Sequence, residues 1–553
     1  MLAAEAGRMT QQNKILMAHV ALVLAACSFF LAFGLGAFGL VGADEPRYAQ
    51  IGREMLARHD WIVPMLDGKP WLEKPVLLYW REMVAYSIFG VHDWAARLPS
   101  VLFATLMALA IFFFIRRFRP GSEIDAVLIT VSSAAMIGFA RGASTDIELA
   151  APFCVAMLAW WTWRTTNHKR WLAASYALLA VGALGKGPVA PGLAMLVVGA
   201  YSWLLRDFKI LRRTLWLPGI ALFCAIALPW YIAVQIKVPI FFNVFFLQHN
   251  LERFSTNLYQ HSQPVWYYIP VFLLSVLPWV VFTVPALVRS VGEGFSFVKG
   301  NKKSRPDNSS TIVSGDAGLD LFLTIWILIP IAFFSISRSK LPGYILPAIP
   351  AAAMLTAIDL HRRNSIARLQ VILHSLVCAA VVAGALFAPW RMIRTPLPTL
   401  TRAVIVVSAA LVAVFVLLLV RSAGLRRLQF ATLGPMAVAL IFLLRPAAPV
   451  IDQTQSARTV SAALNAALGK VGAAPETVAV LDVRRETEYG LDFYRNHPIS
   501  RYERDGIPRG RHALVAKTAT TEAIQQKVGN RDVQMIGSFP PQRLEFYLIG
   551  PAR

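Results

Sequence analysis

Long apolar runs constrain this chain more than any other feature. A helix needs about 20 apolar residues to cross ~30 Å of hydrocarbon. The sequence offers about thirteen runs near that length, at 15–38, 94–115, 122–140, 147–163, 171–185, 188–205, 214–235, 265–288, 320–337, 341–358, 366–388, 401–420 and 428–444. Lipid supplies no partners for backbone amides, so each run must satisfy its own as a helix. Only 15% of residues are charged, against roughly a quarter in a soluble domain. The expected fold is a polytopic all-α membrane protein. The first run is too long for a secretory signal and lacks a small-residue cleavage site, so it reads as a span.

A further stretch, 76–89, is short and carries Arg81 and Glu82 at its centre. Two charges in the middle of a lone span are costly, which makes this an interfacial helix on the membrane surface. Basic residues test that choice, because they collect in cytoplasmic loops. With thirteen spans and the N-terminus inside, Arg116, Arg117, Arg119, Arg164, Lys169, Arg170, Arg212, Arg213, Lys302, Lys303, Arg362, Arg363, Arg426 and Arg427 all fall inside. A fourteenth span at 76–89 would put them all outside. The net charge of +23 then reflects topology and anionic lipids rather than nucleic acid. Cys27, Cys154, Cys224 and Cys378 all lie in apolar runs and form no CxxC pair, so they act as small core residues.

This topology divides the chain into a membrane domain, 1–445, and an outward tail, 446–553. The first outward loop is 39–93. The tail has an amphipathic helix at 456–468 and strand-like runs at 477–483 and 512–516. It is expected to be a periplasmic α/β domain of ~100 residues, enough to hold a core. The Gly-, Ser-, Lys- and Asn-rich segment 289–319 reads as a flexible cytoplasmic linker. No internal repeat is evident.

Polar residues gather in four outward segments. The first holds Asp44, Glu45, Arg47 and Tyr48. Asp44 can cap the helix that Pro46 begins, or it can present a carboxylate at the membrane mouth. Later in the same loop come Glu73, Lys74, Tyr79 and Trp80. An aromatic belt explains the rings, whereas Lys74 at an apolar helix start suits a lipid phosphate. The second segment contains Asp146, again either a cap or a second carboxylate for acceptor binding or a metal. The third carries His249, Arg253 and His261. Glu73, His249 and His261 are candidates for a divalent metal ion, although a His-x11-His spacing is weak evidence for one. The fourth, Ser337 to Pro347, holds Arg338, Lys340 and Tyr344, where basic residues are scarce unless an anion needs them. Lys186, between Gly185 and Gly187, is another outward cation and has no Walker-type context.

Asp44-Glu45-x-Arg47-Tyr48, Glu73-Lys74-Pro75 with Tyr79-Trp80, His249 with Arg253-Phe254, and Ser339-Lys340-Leu341-Pro342 with Tyr344 resemble membrane glycosyltransferases of the C-type fold related to protein O-mannosyltransferases. The chain looks most like the lipid A 4-amino-4-deoxy-L-arabinose transferases. Val76 departs from a second proline at that position. The resemblance implies that the donor is undecaprenyl-phosphate-linked aminoarabinose and the acceptor a lipid A phosphate in the bacterial inner membrane. It also implies a periplasm-facing site, polymyxin resistance as the outcome, and no obligatory cofactor. Asp44, with Asp146, would be catalytic. Glu45, Arg47, Tyr48, Glu73, Lys74, Tyr79, His249, Arg253, Lys340 and Tyr344 would bind substrate. Cations can stabilise a departing phosphate without a general acid. A phosphate acceptor, with its second pKa near ~6, leaves Asp44 an orienting role more than a basic one. The rivals are transfer of mannose or glucose to protein or glycan, and a lipid-linked sugar transporter. Transporters favour broken helices and repeats.

Overall fold

A computed structural model describes residues 2–252, 263–303, 316–363, 365–393, 398–423, 425–473 and 477–552. Among these, eight helices are long and apolar enough to cross a membrane, or ten if each of two bent pairs counts as one span. The thirteen expected from sequence exceed that number, and packing explains part of the gap. The Thr399–Val420 span has a hydropathy of 3.2 and is 11% buried, whereas Pro342–Arg362 has 1.5 and is 89% buried. Helices facing lipid must be apolar all round, while enclosed ones need not be. The helices Thr145–Thr166, Lys169–Lys186 and Val189–Leu205 fall outside the eight. The first of them carries a core of stacked rings, with Trp161 and Trp160 lying 5.0 and 5.3 Å from Phe322.

Two other expectations change. The run 122–140 is broken at Ser133, with a 65° bend between Glu123–Ser132 and Ala134–Ala140. Much of the supposed linker 289–319 is helix, because Val280–Lys303 runs through it and Asp316–Ile336 begins at its end; residues 304–315 lie outside the described set. The 76–89 stretch forms the helix Leu77–Phe89. At ~20 Å it is too short to span a bilayer. It turns Arg81 inward to Glu148 and the Pro99 carbonyl, and it buries Glu82 completely.

Two ends of the helix bundle are chemically distinct. At one, Arg119 and Arg362 meet Asp320, and Arg289 and Arg363 meet Asp359. The helix Asp93–Phe118 leads from there to the other end, ~39 Å away at 1.5 Å per residue. At that other end the first loop folds into the helix Asp44–Ala57, the hairpin β1 (Met65–Leu66) and β2 (Lys69–Pro70), and Leu77–Phe89.

The tail is an α/β unit. Its strands are β3 (Val478–Leu481), β4 (Ile499–Arg501), β5 (His512–Lys517), β6 (Val533–Phe539) and β7 (Leu544–Ile549), in the order β4-β3-β5-β7-β6. β3 pairs in parallel with β4 and β5, whereas β7 is antiparallel to β5 and β6. The amphipathic helix Arg458–Lys470 covers one face through Val460 and Leu464, and Thr521–Val528 covers the other through Ile524.

The tail is clamped onto the first loop. The Gly39 amide donates to Asp452 at 2.8 Å and the Leu40 amide to the Tyr494 hydroxyl at 2.7 Å. Tyr494 in turn donates to Asp93 at 2.7 Å, and Arg458 bridges Asp93 and Asp452. Beside this clamp, Asp492 is 1% exposed. Burial, followed by the carboxylates of Asp67 and Glu54, pushes its pKa up to about 9. Burial and Glu54 push Asp67 up to about 6. Both acids are raised above the ordinary ~3.9, so the folded chain binds their protons more tightly than the unfolded one. Their contribution is then full below that value and is lost as pH rises. The melting midpoint should therefore fall as pH rises from about 4 to about 9, most steeply below about pH 6, where both acids contribute. Asp492→Asn should flatten the fall and raise the midpoint at alkaline pH. An unchanged pH profile in that variant would remove the carboxyl pair as its cause.

Candidate active site

Asp44 opens the Asp44–Ala57 helix as its first residue. The residue before it, Ala43, makes no side-chain cap. Asp44 is therefore not the cap that Pro46 suggested. Its carboxylate pairs with Arg47, one turn along. The Asp44 side chain is 60% exposed and that of Arg47 10%, so the acid reaches outward from a buried cation. Three rings enclose the guanidinium, with centroids 4.7 Å (Trp71), 5.2 Å (Tyr48) and 5.3 Å (Tyr489) from it. Burial disfavours the Arg47 charge. Tyr48, Asp44, Glu73 and Tyr489 outweigh it, and the group stays firmly cationic.

Glu73 follows in the loop, 4.0 Å from His249 Nε2. Lys74, next in sequence, lies within electrostatic reach of Asp146. Asp146 accepts from Lys186 and from the Ser144 hydroxyl, the latter at 2.8 Å. Ser144, rather than Asp146, caps the helix Thr145–Thr166. Lys186 also sits 5.0 Å from the centre of the Tyr344 ring. Gly343 permits this approach, since a Cβ there would lie 2.7 Å from the Asp146 carboxylate. Asp44, Arg47, Glu73, Lys74, Asp146, Lys186, His249 and Tyr344 thus form one polar band of alternating acids and cations. Such a band can grip phosphate oxygens while keeping carboxylates close to a sugar.

Other candidates take different places. Glu45 is 8% exposed and accepts four hydrogen bonds, from the Val41 and Ala143 amides and twice from Arg97. It holds the loop rather than facing outward. Tyr79 is fully buried beneath Tyr48. Lys340 is 5% exposed and donates to the Gln263 and Ser337 carbonyls, tying its own turn. Arg253 and His261 lie outside the described residues. Glu73 and His249 offer two metal donors. Among the described residues, no group of three or more His, Cys, Asp or Glu side chains is placed to hold a metal. Trp71 and Tyr489 carry no motif signal, because a ring that encloses a cation looks like any other aromatic in sequence.

Residues 73–232 match the dolichyl-phosphate-mannose-protein mannosyltransferase family. The undecaprenyl phosphate-alpha-4-amino-4-deoxy-L-arabinose arabinosyl transferase of Enterobacter sp. (strain 638) is 31% identical over 416 residues, covering 72% of this chain and 71% of that protein. The chain belongs to this arabinosyl transferase family. It is a multi-pass membrane transferase. The Erwinia tasmaniensis relative is 29% identical over 483 residues, covering 81% of this chain and 83% of its own length. ArnT from Cupriavidus metallidurans, solved bound to undecaprenyl phosphate, shares the fold with a TM-score of 0.73 at 22% identity, covering 97% of this transferase and 98% of that chain.

Proposed function

We propose that this transferase moves 4-amino-4-deoxy-L-arabinose from undecaprenyl phosphate to a phosphate of lipid A, on the outer side of a bacterial inner membrane. The observation that carries the reading is the polar band from Asp44 to Lys186, in a chain similar over most of its length to named aminoarabinose transferases. The basic clusters at the opposite end of the bundle support the outward orientation. An acceptor phosphate oxygen attacks C1 of the sugar from the face opposite the carrier. The bond from C1 to the carrier phosphate breaks, and its electron pair leaves on the undecaprenyl phosphate. Lys74 and Lys186 stabilise that developing charge electrostatically. Asp44 orients the acceptor against Arg47, and Asp146 sets the position of Lys186. The product carries an added amine and a lower negative charge, which weakens binding of cationic peptides such as polymyxin.

Mass spectrometry of lipid A tests the reading. Cells with the protein and a supply of the donor should show aminoarabinose on lipid A phosphate, and cells without it should not. Unchanged lipid A would overturn the assignment of the acceptor.

A further inference from the structure

We propose that Tyr489, in the tail, is a positioning residue of the transferase site, so that the C-terminal α/β unit completes the site rather than merely covering it. The inference rests on the reading of Asp44 and Arg47 given above. Tyr489 supplies the third wall around Arg47, 5.3 Å from the guanidinium carbon. The other two walls come from the first loop. Arg47 Nε has no hydrogen-bond partner among the described residues. Among the described residues its plane is held by the three rings, by Asp44 and by a hydrogen bond to the Tyr48 hydroxyl. Cation–π contacts strengthen as the pair is desolvated, and this guanidinium is 10% exposed.

The helix carrying Tyr489, Arg485–Arg495, is held from several sides. Arg53, on the Asp44–Ala57 helix, donates to the Phe493 carbonyl at 3.0 Å. Tyr494 joins Leu40 to Asp93. Within the tail, Glu488 accepts from Arg501 at 2.7 Å and Arg504 at 2.9 Å. Gly490 lies so close to Ala457 that a Cβ would meet Ala457 Cβ at 2.4 Å. These contacts place one ring of the tail over Arg47 and leave it little freedom. Without that ring, Arg47 is open to water on one side and can turn away from Asp44, taking the acid out of register with the acceptor.

The experiment is a double-mutant cycle on the full-length transferase in proteoliposomes. It uses undecaprenyl-phosphate-linked aminoarabinose as donor and lipid A as acceptor. Tyr489→Ala should lower kcat/KM about tenfold, and Tyr489→Phe, which keeps the ring, should restore it to within about twofold. In an Arg47→Met background, which removes the cation, Tyr489→Ala should cost less than about twofold more. A loss that multiplies undiminished in that background would mean a general structural defect and overturn the proposal. Native turnover in Tyr489→Ala would overturn it as well. The Asp44→Asn variant separates the two readings. If it is inactive while Tyr489→Ala is native-like, only the role of Tyr489 fails. If it is fully active, the site reading beneath both fails.

Discussion

Asp44→Asn is expected to lower sugar transfer by about 10²- to 10³-fold, the range for removing a positioned charge or acid–base group from a reacting centre. Binding of undecaprenyl phosphate should change by no more than about threefold, since the proposed site assigns that phosphate to Lys74 and Lys186 rather than to Asp44. Asparagine keeps the shape of the side chain and deletes its charge. Arg47 is only 10% exposed, so losing its partner carries a stability cost of its own, and the melting midpoint of the variant separates that cost from lost transfer. The readout is the initial rate of aminoarabinose transfer to lipid A in proteoliposomes, with carrier binding measured on the same preparation. Native rates in Asp44→Asn would sink the assignment of this loop as the reacting centre.

The helical membrane body and the α/β tail were legible in the sequence because each rests on a periodic signal. Apolar runs set the spans, and the tail strands fall at Val478–Leu481 and His512–Lys517, within a few residues of 477–483 and 512–516. The number of helices that pass a length-and-hydropathy test is smaller than the thirteen expected runs. Hydropathy reports what faces lipid, and enclosed helices such as Thr145–Thr166 are free to carry Asp146, Glu148 and Arg164. The proposed site was legible where charge stands out against an apolar background, as at Asp44, Lys74 and Asp146. It was not legible where chemistry depends on contact across the fold. Lys186 was visible as an outward cation, but its pairing with Asp146, 40 residues away, is a tertiary fact. Tyr489 is more than 400 residues from Arg47, and nothing local marks it. Conversely, Glu45 and Lys340 look like ligands in sequence, and the fold gives their polar atoms partners inside the protein.

Glu45 and Arg97 should prove essential for stability rather than for the chemical step. Arg97 is 2% exposed and donates to the Leu35, Phe38 and Gly39 carbonyls at 2.8, 3.0 and 2.9 Å, as well as to both oxygens of Glu45. Glu45 in turn accepts the Val41 and Ala143 amides at 2.8 and 2.9 Å. The pair therefore gathers the end of the first span, the start of the Asp44 helix and the turn before Thr145 around one buried ion pair. Removing one member leaves the other buried and uncompensated, which costs about 3–5 kcal/mol. Arg97→Ala should lower the detergent-solubilised melting midpoint sharply and deplete the protein from membranes. Glu45→Gln keeps the side-chain shape but deletes the counter-charge of Arg97 and turns a donor toward a backbone N–H, so a loss of about 3–5 kcal/mol is expected there too. For the Glu45→Gln protein that remains folded, KM for both substrates should stay near native. Exchanging both residues for leucine should recover part of the Arg97→Ala loss, as buried pairs replaced together by apolar groups often do. The opposite pattern, a native melting midpoint in Glu45→Gln with a raised KM, would move Glu45 from the scaffold of the loop to its substrate-facing side.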